Sequence, residues 1–111
     1  MTKYLISFPS DAMVLAPDEF KQVGRDAHAV TAEAKAAGVW VFGGGIHEGV
    51  EPVTVAADGT VGDAYSGWDL RGGFTVLELP TREEALDWAR RIAVACRTPQ
   101  ELREFMFDPE S

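Results

Sequence analysis

The segment from Gly73 to Cys96 places a strand directly before a helix whose start signal is intact. The strand part, 73–79, is short and rich in β-branched and aromatic residues. Thr81 is followed three positions later by Glu84, a capping box in which the threonine hydroxyl accepts a hydrogen bond from the Glu84 N–H. The sequence therefore predicts a strand over 73–79 and a helix from Arg82 to about Cys96.

The remaining elements follow from periodicity and from breakers. Helix 1 has apolar residues at three- and four-residue steps, and Gly38 directly after it is a helix stop signal. The third strand ends at Asp58-Gly59, a tight-turn pair. A helix start at Thr98 competes with a last strand, but Pro109 leaves too few residues for a stable helix. The predicted elements are strand 1 over 3–8, helix 1 from 17 or 18 to 37, strand 2 over 39–42, strand 3 over 53–57, strand 4 over 73–79, helix 2 over 82–96 and strand 5 over about 101–107.

This order, βαββ(β)αβ, predicts an α+β fold of ferredoxin-like βαββαβ type with one additional strand, in which two helices cover one face of an antiparallel sheet. The other face raises a question, because the strands are apolar on both sides. Simple alternation puts Trp40 and Phe42 on one side of strand 2, and sets Phe74 and Val76 against Leu77 and Leu79 in strand 4. Since soluble monomers rarely leave a large apolar face exposed, we expect a homodimer packed through the sheet.

Composition limits the function classes. The 111 residues suit one domain, expected over 1–107 with a tail at 108–111. A net charge of −8, with 18 acidic and ten basic residues, argues against binding nucleic acid. The single cysteine, Cys96, favours a reducing compartment, and no stretch resembles a signal peptide or a membrane span. A cytoplasmic protein without a membrane partner is the simplest expectation.

The chain resembles the YCII-related (YciI-like, or DGPF-domain) family of small dimeric α+β-barrel proteins. The shared features are the opening strand 3–6, His28 ten residues before Gly38, the glycines 43–45, Asp58-Gly59, Asp63, the strand entry 72–74, and 83–86 leading to Trp88. The Asp-Gly-Pro-Phe signature of the family reads Asp63-Ala-Tyr-Ser66 here, so only its aspartate is kept. The resemblance implies a homodimer with a pocket near His28 and Asp63. The role of the family is largely unassigned, although enzymatic activity has been suspected.

The resemblance pairs His28 with Asp63 as candidate catalytic residues. An imidazole titrates near neutral pH, and a carboxylate can orient it and raise its pKa, which suits general acid–base catalysis without a cofactor. The helical periodicity favours another interpretation, because His28 falls off the apolar stripe of helix 1 and would then face water. No cofactor motif and no metal-ligand spacing accompany the two residues.

The loop after Asp63 supplies the candidate ligand contacts. Tyr65, Trp68, Asp69 and Arg71 combine apolar area with polar tips, as small-molecule pockets do, and His47 follows the glycine-rich end of strand 2. The alternative is that Trp68 covers a dimer seam, that Asp69 pairs with Arg71 at the surface, and that the glycines only make a bend. Two functions stay open: a homodimer that binds a small organic ligand, with or without catalysis, and a non-catalytic protein-interaction module, linked in this interpretation to transcriptional regulation.

Overall fold

The structure is a computed structural model that describes residues 1–65, 67 and 70–111. It is an α+β fold with two helices and an antiparallel sheet. The elements are β1 (Thr2–Phe8), a short 3₁₀ helix (Ser10–Ala12), α1 (Phe20–Ala36), β2 (Trp40–Gly45), β3 (Val53–Val55), β4 (Val61–Asp63), β5 (Gly73–Leu79), α2 (Arg82–Cys96) and β6 (Glu101–Glu104).

Four strands form the main sheet in the order β2-β5-β1-β6, and every neighbouring pair is antiparallel. This arrangement is compatible with the expected ferredoxin-like fold. Strands β3 and β4 pair only with each other, in a separate two-stranded sheet. We call the described residues of this part of the chain, 46–65, 67, 70 and 71, which contain the hairpin, the arm. The arm was not expected as a sheet of its own, because β4 is only three residues long and alternates around Gly62.

The hydrophobic core lies between the main sheet and the two helices. Its sheet side consists of Tyr4 and Ile6 from β1 with Leu77 and Leu79 from β5, all nearly inaccessible to water. Small side chains on the helices allow close approach, and Ala34, Ala85 and Ala89 are buried against the sheet residues. The predicted division of β5 into Phe74 and Val76 on one face and Leu77 and Leu79 on the other is confirmed by this burial.

Both helix predictions are confirmed in their main bounds. The Glu84 N–H donates to the Thr81 hydroxyl at 3.2 Å, and α2 begins at Arg82 and ends at Cys96 as predicted. Helix α1 ends at Ala36 and is followed by Gly38 in a left-handed conformation with φ of 75°. It begins at Phe20, two or three residues later than predicted, because a turn closed by the Glu19 N–H and the Ala16 carbonyl occupies the preceding positions.

The predicted sides of β2 are wrong at one position. Trp40 pairs with Leu77 and Phe42 with Val76, so one extra residue of β2 lies between two consecutive residues of β5. This β-bulge reverses the alternation, and it turns Trp40 toward the core while Phe42 faces the opposite side. The indole of Trp40 then lies over Gly43, where an added Cβ would come within 2.4 Å of the ring.

Two strand ends also differ from prediction. Strand β3 ends at Val55 instead of 57, and the turn that follows has Gly59 at φ of 91°. In that turn the Thr60 N–H donates to the Asp58 carboxylate at 2.9 Å, a hydrogen bond that lowers the pKa of this carboxyl. The last strand begins at Glu101 as predicted but ends at Glu104. Beyond it, the one backbone hydrogen bond to a strand within the described residues runs from the Phe105 N–H to the Lys3 carbonyl.

The face of the main sheet opposite the helices, which we call the open face, carries apolar side chains. The strand registers place Leu5, Phe42, Phe74 and Val76 there, and Phe42 is 64% exposed. Two ion pairs add charge to this face: Lys3 with Glu78 at 3.4 Å near the start of β1, and Arg103 with Glu101 at 2.6 Å on β6, opposite Leu5 and Ser7. The expectation of an apolar second face is therefore confirmed only for its central part, which is bordered by charged side chains.

Candidate functional site

A cleft of about 490 Å³ lies between α1 and the main sheet. It exists because α1 buries few residues, chiefly Val23 and Ala34, and so stands away from part of the sheet. Glycines at the ends of β2 and β5 leave further room, since they carry no side chain toward α1. The apolar lining includes Phe8, Met13, Val23, Trp40, Ile92 and Cys96.

One stripe of α1 forms the polar side of the cleft. Gly24, His28, Thr31 and Lys35 all line it, and their spacing of four, three and four residues keeps them on one helix face. This stripe lies beside the apolar stripe that the sequence predicted, which explains why His28 is exposed and yet borders a cavity. The side chains present an imidazole, a hydroxyl and an ammonium group, all of which can donate hydrogen bonds.

Lys35 and Trp40 make the best-defined contact at this end of the cleft. The Lys35 Nζ lies 5.7 Å from the centre of the indole ring, within the range of a cation–π interaction. The Trp40 ring is itself fixed from below by its close approach to Gly43. A flat apolar surface and a positive charge are therefore held side by side.

The charge of the cleft contrasts with that of the chain. Among the described residues that line it there is no Asp or Glu, although the chain has 18 acidic residues and a net charge of −8. Its charged or titratable lining groups are Lys35, His28 and the Cys96 thiol. Burial raises the pKa of Cys96 and the neighbouring Arg97 lowers it less, so the thiol is neutral near pH 7. The cleft is thus a positive site on an acidic protein.

The structure does not bring His28 and Asp63 together in one site. His28 lies on α1, whereas Asp63 ends β4 in the arm and lines neither of the two grooves described here. Both side chains are exposed, and no hydrogen bond or ion pair joins His28 to any carboxylate in the described part of the chain. The Asp63 main-chain carbonyl, not its carboxylate, has a defined partner: it accepts from the Thr54 hydroxyl at 2.6 Å.

The arm carries most of the other candidate residues. His47, Tyr65 and Arg71 line one open groove of about 820 Å³, which we call the arm groove. The remaining two candidates, Trp68 and Asp69, lie outside the described residues. His47 accepts a hydrogen bond from the Gly49 N–H at its Nδ1, at 3.2 Å, and Arg71 lies 3.9 Å from Asp11. The structure therefore places three of the predicted ligand-binding residues in the arm groove, whereas His28 lines the cleft beside α1.

Sequence reasoning missed Thr31, Lys35 and Trp40 as lining residues of the cleft. Simple alternation along β2 places Trp40 on the same side as Phe42, because no local signal in the sequence indicates the bulge between them. Lys35 had a detectable signal, because it follows His28 by seven residues and so lies two helical turns further along the same face. The seven-residue spacing is visible in the sequence, but it joins polar residues, and a helix face is recognised from the periodicity of apolar ones.

No family model matches the chain, and no curated protein matches it significantly. No group of three or more His, Cys, Asp or Glu side chains within the described ranges has an arrangement suited to a metal ion. The helices described are too short or too polar to cross a membrane.

Proposed function

We propose that this protein binds a small, largely apolar organic anion, such as an aromatic or aliphatic carboxylate, in the cleft between α1 and the sheet. The observation that carries the proposal is the exclusion of Asp and Glu from the described lining of the cleft while Lys35 and His28 remain. Pockets of this kind bind the body of a ligand by apolar contact and orient it through a few polar groups.

The positions of the polar groups suggest how such a ligand would lie. Its apolar body would occupy the space beside Phe8, Trp40 and Ile92, where little polar surface competes. Its acid group would lie toward α1, within reach of the Thr31 hydroxyl and the Lys35 ammonium. A charge-assisted hydrogen bond to lysine is about twice as strong as a neutral one, so an acid is favoured over its neutral analogue.

Binding can be tested with a matched pair of probes, 3-phenylpropionate and the neutral 3-phenylpropionamide. In a titration followed by ¹H–¹⁵N correlation spectra, we expect the acid to shift the Trp40 indole N–H and the α1 amides near Thr31. We expect its dissociation constant to be about five- to tenfold lower than that of the amide, as one charge-assisted contact of about 1–1.4 kcal/mol implies.

Lys35→Gln should remove this preference for the acid, whereas Lys21→Gln should keep it. Both lysines are exposed residues of α1, but only Lys35 lines the cleft. Equal affinity for acid and amide in the wild-type protein, or shifts confined to the arm, would contradict the proposal. Acid–base catalysis by His28 with Asp63 stays a prediction and is not needed for binding.

We also propose that the chain forms a homodimer of ferredoxin-like subunits, with the open faces packed together as in a dimeric α+β barrel. The exposed Phe42 and the partly exposed Leu5, Phe74 and Val76 support it, because the strand registers place them together at the centre of the open face. This fold type also agrees with the expected YCII-like family, which stays a prediction.

Sedimentation analysis of the wild-type chain and of Phe42→Glu tests the dimer. A glutamate at Phe42 would bury a charge at the interface, and we expect a dimer to become a monomer at micromolar concentration. The residue is 64% exposed in the single chain, so the substitution should leave the monomer folded. Val94→Glu on the outside of α2, which is 77% exposed, is the matched control and should stay dimeric. A wild-type chain that sediments as a monomer would end this proposal.

A further inference from the structure

The cleft beside α1 is long and narrow, as the lengths of its two walls show. On α1 its lining extends from Gly24 to Lys35, which are about 16 Å apart at the rise of an α-helix. On the sheet it extends along β2 from Trp40 to Gly45, also about 16 Å at the rise of a strand. A cavity of about 490 Å³ that was equally wide in all directions would be only about half as long. The shape therefore suits an extended ligand better than a compact one.

The two ends of the cleft differ in chemistry. Helix α1 and β2 are joined by the short connection 37–39 and run antiparallel, so Lys35 lies beside Trp40 at one end, which we call the basic end. Gly24 and Gly45 lie at the other, which we call the glycine end. Lys35 is the only Lys or Arg among the described residues that line the cleft, and the exposed His28 lies between the two ends. An acid group is therefore favoured toward the basic end.

The glycine end is open because both of its walls lack side chains. A Cβ on Gly24 would meet no atom within 4 Å, so there is free space in front of this position of α1. The nearest atom to a Cβ on Gly45 would be the Gly72 carbonyl oxygen at 3.7 Å, an ordinary contact distance. Since glycine is less favourable than alanine inside a helix, Gly24 contributes space to the cleft and not stability to α1.

The strand register shows that Gly45 faces α1. Phe8 follows the buried Ile6 by two residues, so both lie on the core side of β1, and Phe8 pairs with Gly73. Gly73 pairs in turn with Gly45, and paired residues of neighbouring strands share a face of the sheet. The Phe8 ring already fills the space in front of Gly73, where a Cβ would lie 2.5 Å from it. The space in front of Gly45 is thus bordered by an aromatic side chain.

The polar side chains near the glycine end already have partners. Gln100 lines the cleft, and its Nε2 donates to a main-chain carbonyl at 3.1 Å. Arg97, directly after α2, is not among the described lining residues; its Nη2 donates to the Asp26 carboxylate at 3.1 Å, and its Nε lies 3.8 Å from the Glu19 carboxylate. Neither side chain competes with Lys35 for an acid group. The glycine end is left for the apolar part of a ligand.

We infer that the cleft binds an unbranched aliphatic carboxylate of medium length, in an extended form. Its carboxylate lies toward Lys35, and its tail passes the Trp40 ring and ends between Gly24 and Gly45. A length of about 16 Å holds roughly ten carbons, at about 1.25 Å per C–C bond of an extended chain and with both end groups included. The inference rests on the proposed function and specifies the shape of the ligand. It does not depend on the dimer, whose interface would be the opposite face of the sheet.

A series of acids measures the length of the cleft directly. Isothermal titration uses butyrate, hexanoate, octanoate, decanoate and dodecanoate, all below the concentrations at which they form micelles. We expect the dissociation constant to fall about fivefold for each two added methylene groups up to decanoate, because each buried methylene adds affinity. Dodecanoate should gain little more, since its last carbons would emerge from the glycine end. The compact 1-adamantanecarboxylate should bind at least about tenfold more weakly than decanoate.

Gly24→Leu should block the glycine end from the helix wall. We expect the ratio of the hexanoate to the decanoate dissociation constant to fall from about 25 to under about five, because the leucine takes the place of the distal carbons. Leucine favours a helix more than glycine does, so the variant should fold. Ala29→Leu is the matched control, because Ala29 is an exposed residue of α1 that does not line the cleft.

Gly45→Val should give the same result from the sheet wall. Valine is favoured in strands, and a Cβ at this position has room. Gly44→Ala is its control, because a Cβ on Gly44 would lie 3.7 Å from the Phe42 ring, on the open face. A ratio that falls in both cleft variants and in neither control supports the inference.

The failure of this inference is distinguishable from the failure of the proposed function. If 3-phenylpropionate and the short acids bind, but affinity does not rise with chain length, the extended ligand is overturned and anion binding stands. The same holds if Gly24→Leu and Gly45→Val leave the ratio unchanged, or if the controls lower it equally. If neither 3-phenylpropionate nor any acid of the series binds, both are overturned.

Discussion

The two faces of the main sheet are built by the same strands and both carry apolar side chains, yet the described residues cover only one of them. Leu77 is fully buried under the helices, while the next strand over places Phe42 on the open face with 64% of its surface exposed. The difference teaches that apolar content alone does not define a core. The covered face stabilises the monomer, and the open face has apolar area left for association.

The strongest test of this comparison is a pair of adjacent substitutions in β5. Leu77→Ala should lower the free energy of unfolding by about 3 kcal/mol, because the leucine is 0% exposed and leaves a cavity in the core. Val76→Ala, on the open face, should cost under about 1 kcal/mol in the monomer and should act mainly on association. Urea unfolding at a protein concentration below the dimer dissociation constant measures the loss of unfolding free energy in each variant. Equal losses would show that the faces do not differ as described.

A second test concerns the junction between the sheet and the arm. Gly72 has φ of 105°, and a Cβ there would lie 1.9 Å from the Phe8 carbonyl oxygen, so Gly72→Ala combines strain with a backbone clash. We expect it to cost about 2 kcal/mol of stability. Gly59→Ala in the arm has a similar φ of 91° but no atom within 4 Å, and it should cost about 1 kcal/mol. If the two variants lose the same stability, the junction does not constrain the arm.

Helix α2 covers the core face of the sheet, and its start at Arg82 is stabilised by the Thr81 cap. Thr81→Ala removes the hydroxyl that accepts from the Glu84 N–H, and should cost about 1 kcal/mol of stability in a thermal or urea transition. Thr81→Ser keeps a hydroxyl at this position and should lose much less. A Thr81→Ala protein as stable as the wild type would mean that another group satisfies the first turn of α2.

How far the sequence predicts this molecule depends on how local each signal is. The Thr81 cap and the Gly38 stop are local, and the helix bounds that they predict agree with the structure within a few residues. The bulge between Trp40 and Phe42 depends on how β2 pairs with β5, a long-range contact that alternation along one strand does not contain. The same limit explains why helical spacing placed His28 at the surface correctly but did not reveal the cleft beside it.

The smallest expected effect on stability concerns the cleft, where α1 does not cover the helix-facing side of the sheet completely. Cys96 is buried in its wall, and burial raises the pKa of the thiol above its usual value of 9.0. A raised pKa in the folded state means that its contribution to stability is fully present below the pKa of the unfolded chain and is lost as pH rises through the folded value. The stability of the wild type relative to Cys96→Ala should therefore fall as the pH rises above the ordinary thiol pKa of 9.0.

Alkylation by iodoacetamide gives an independent measure of the same wall. At about pH 8 the thiol should react more slowly in the folded protein than in urea, because the reactive form is the thiolate and burial disfavours it. A ligand such as 3-phenylpropionate should slow the reaction further if it occupies the cleft that Cys96 lines. A rate that is equal in folded and unfolded protein would mean that the cleft is open to solvent and that the covered face ends before Cys96.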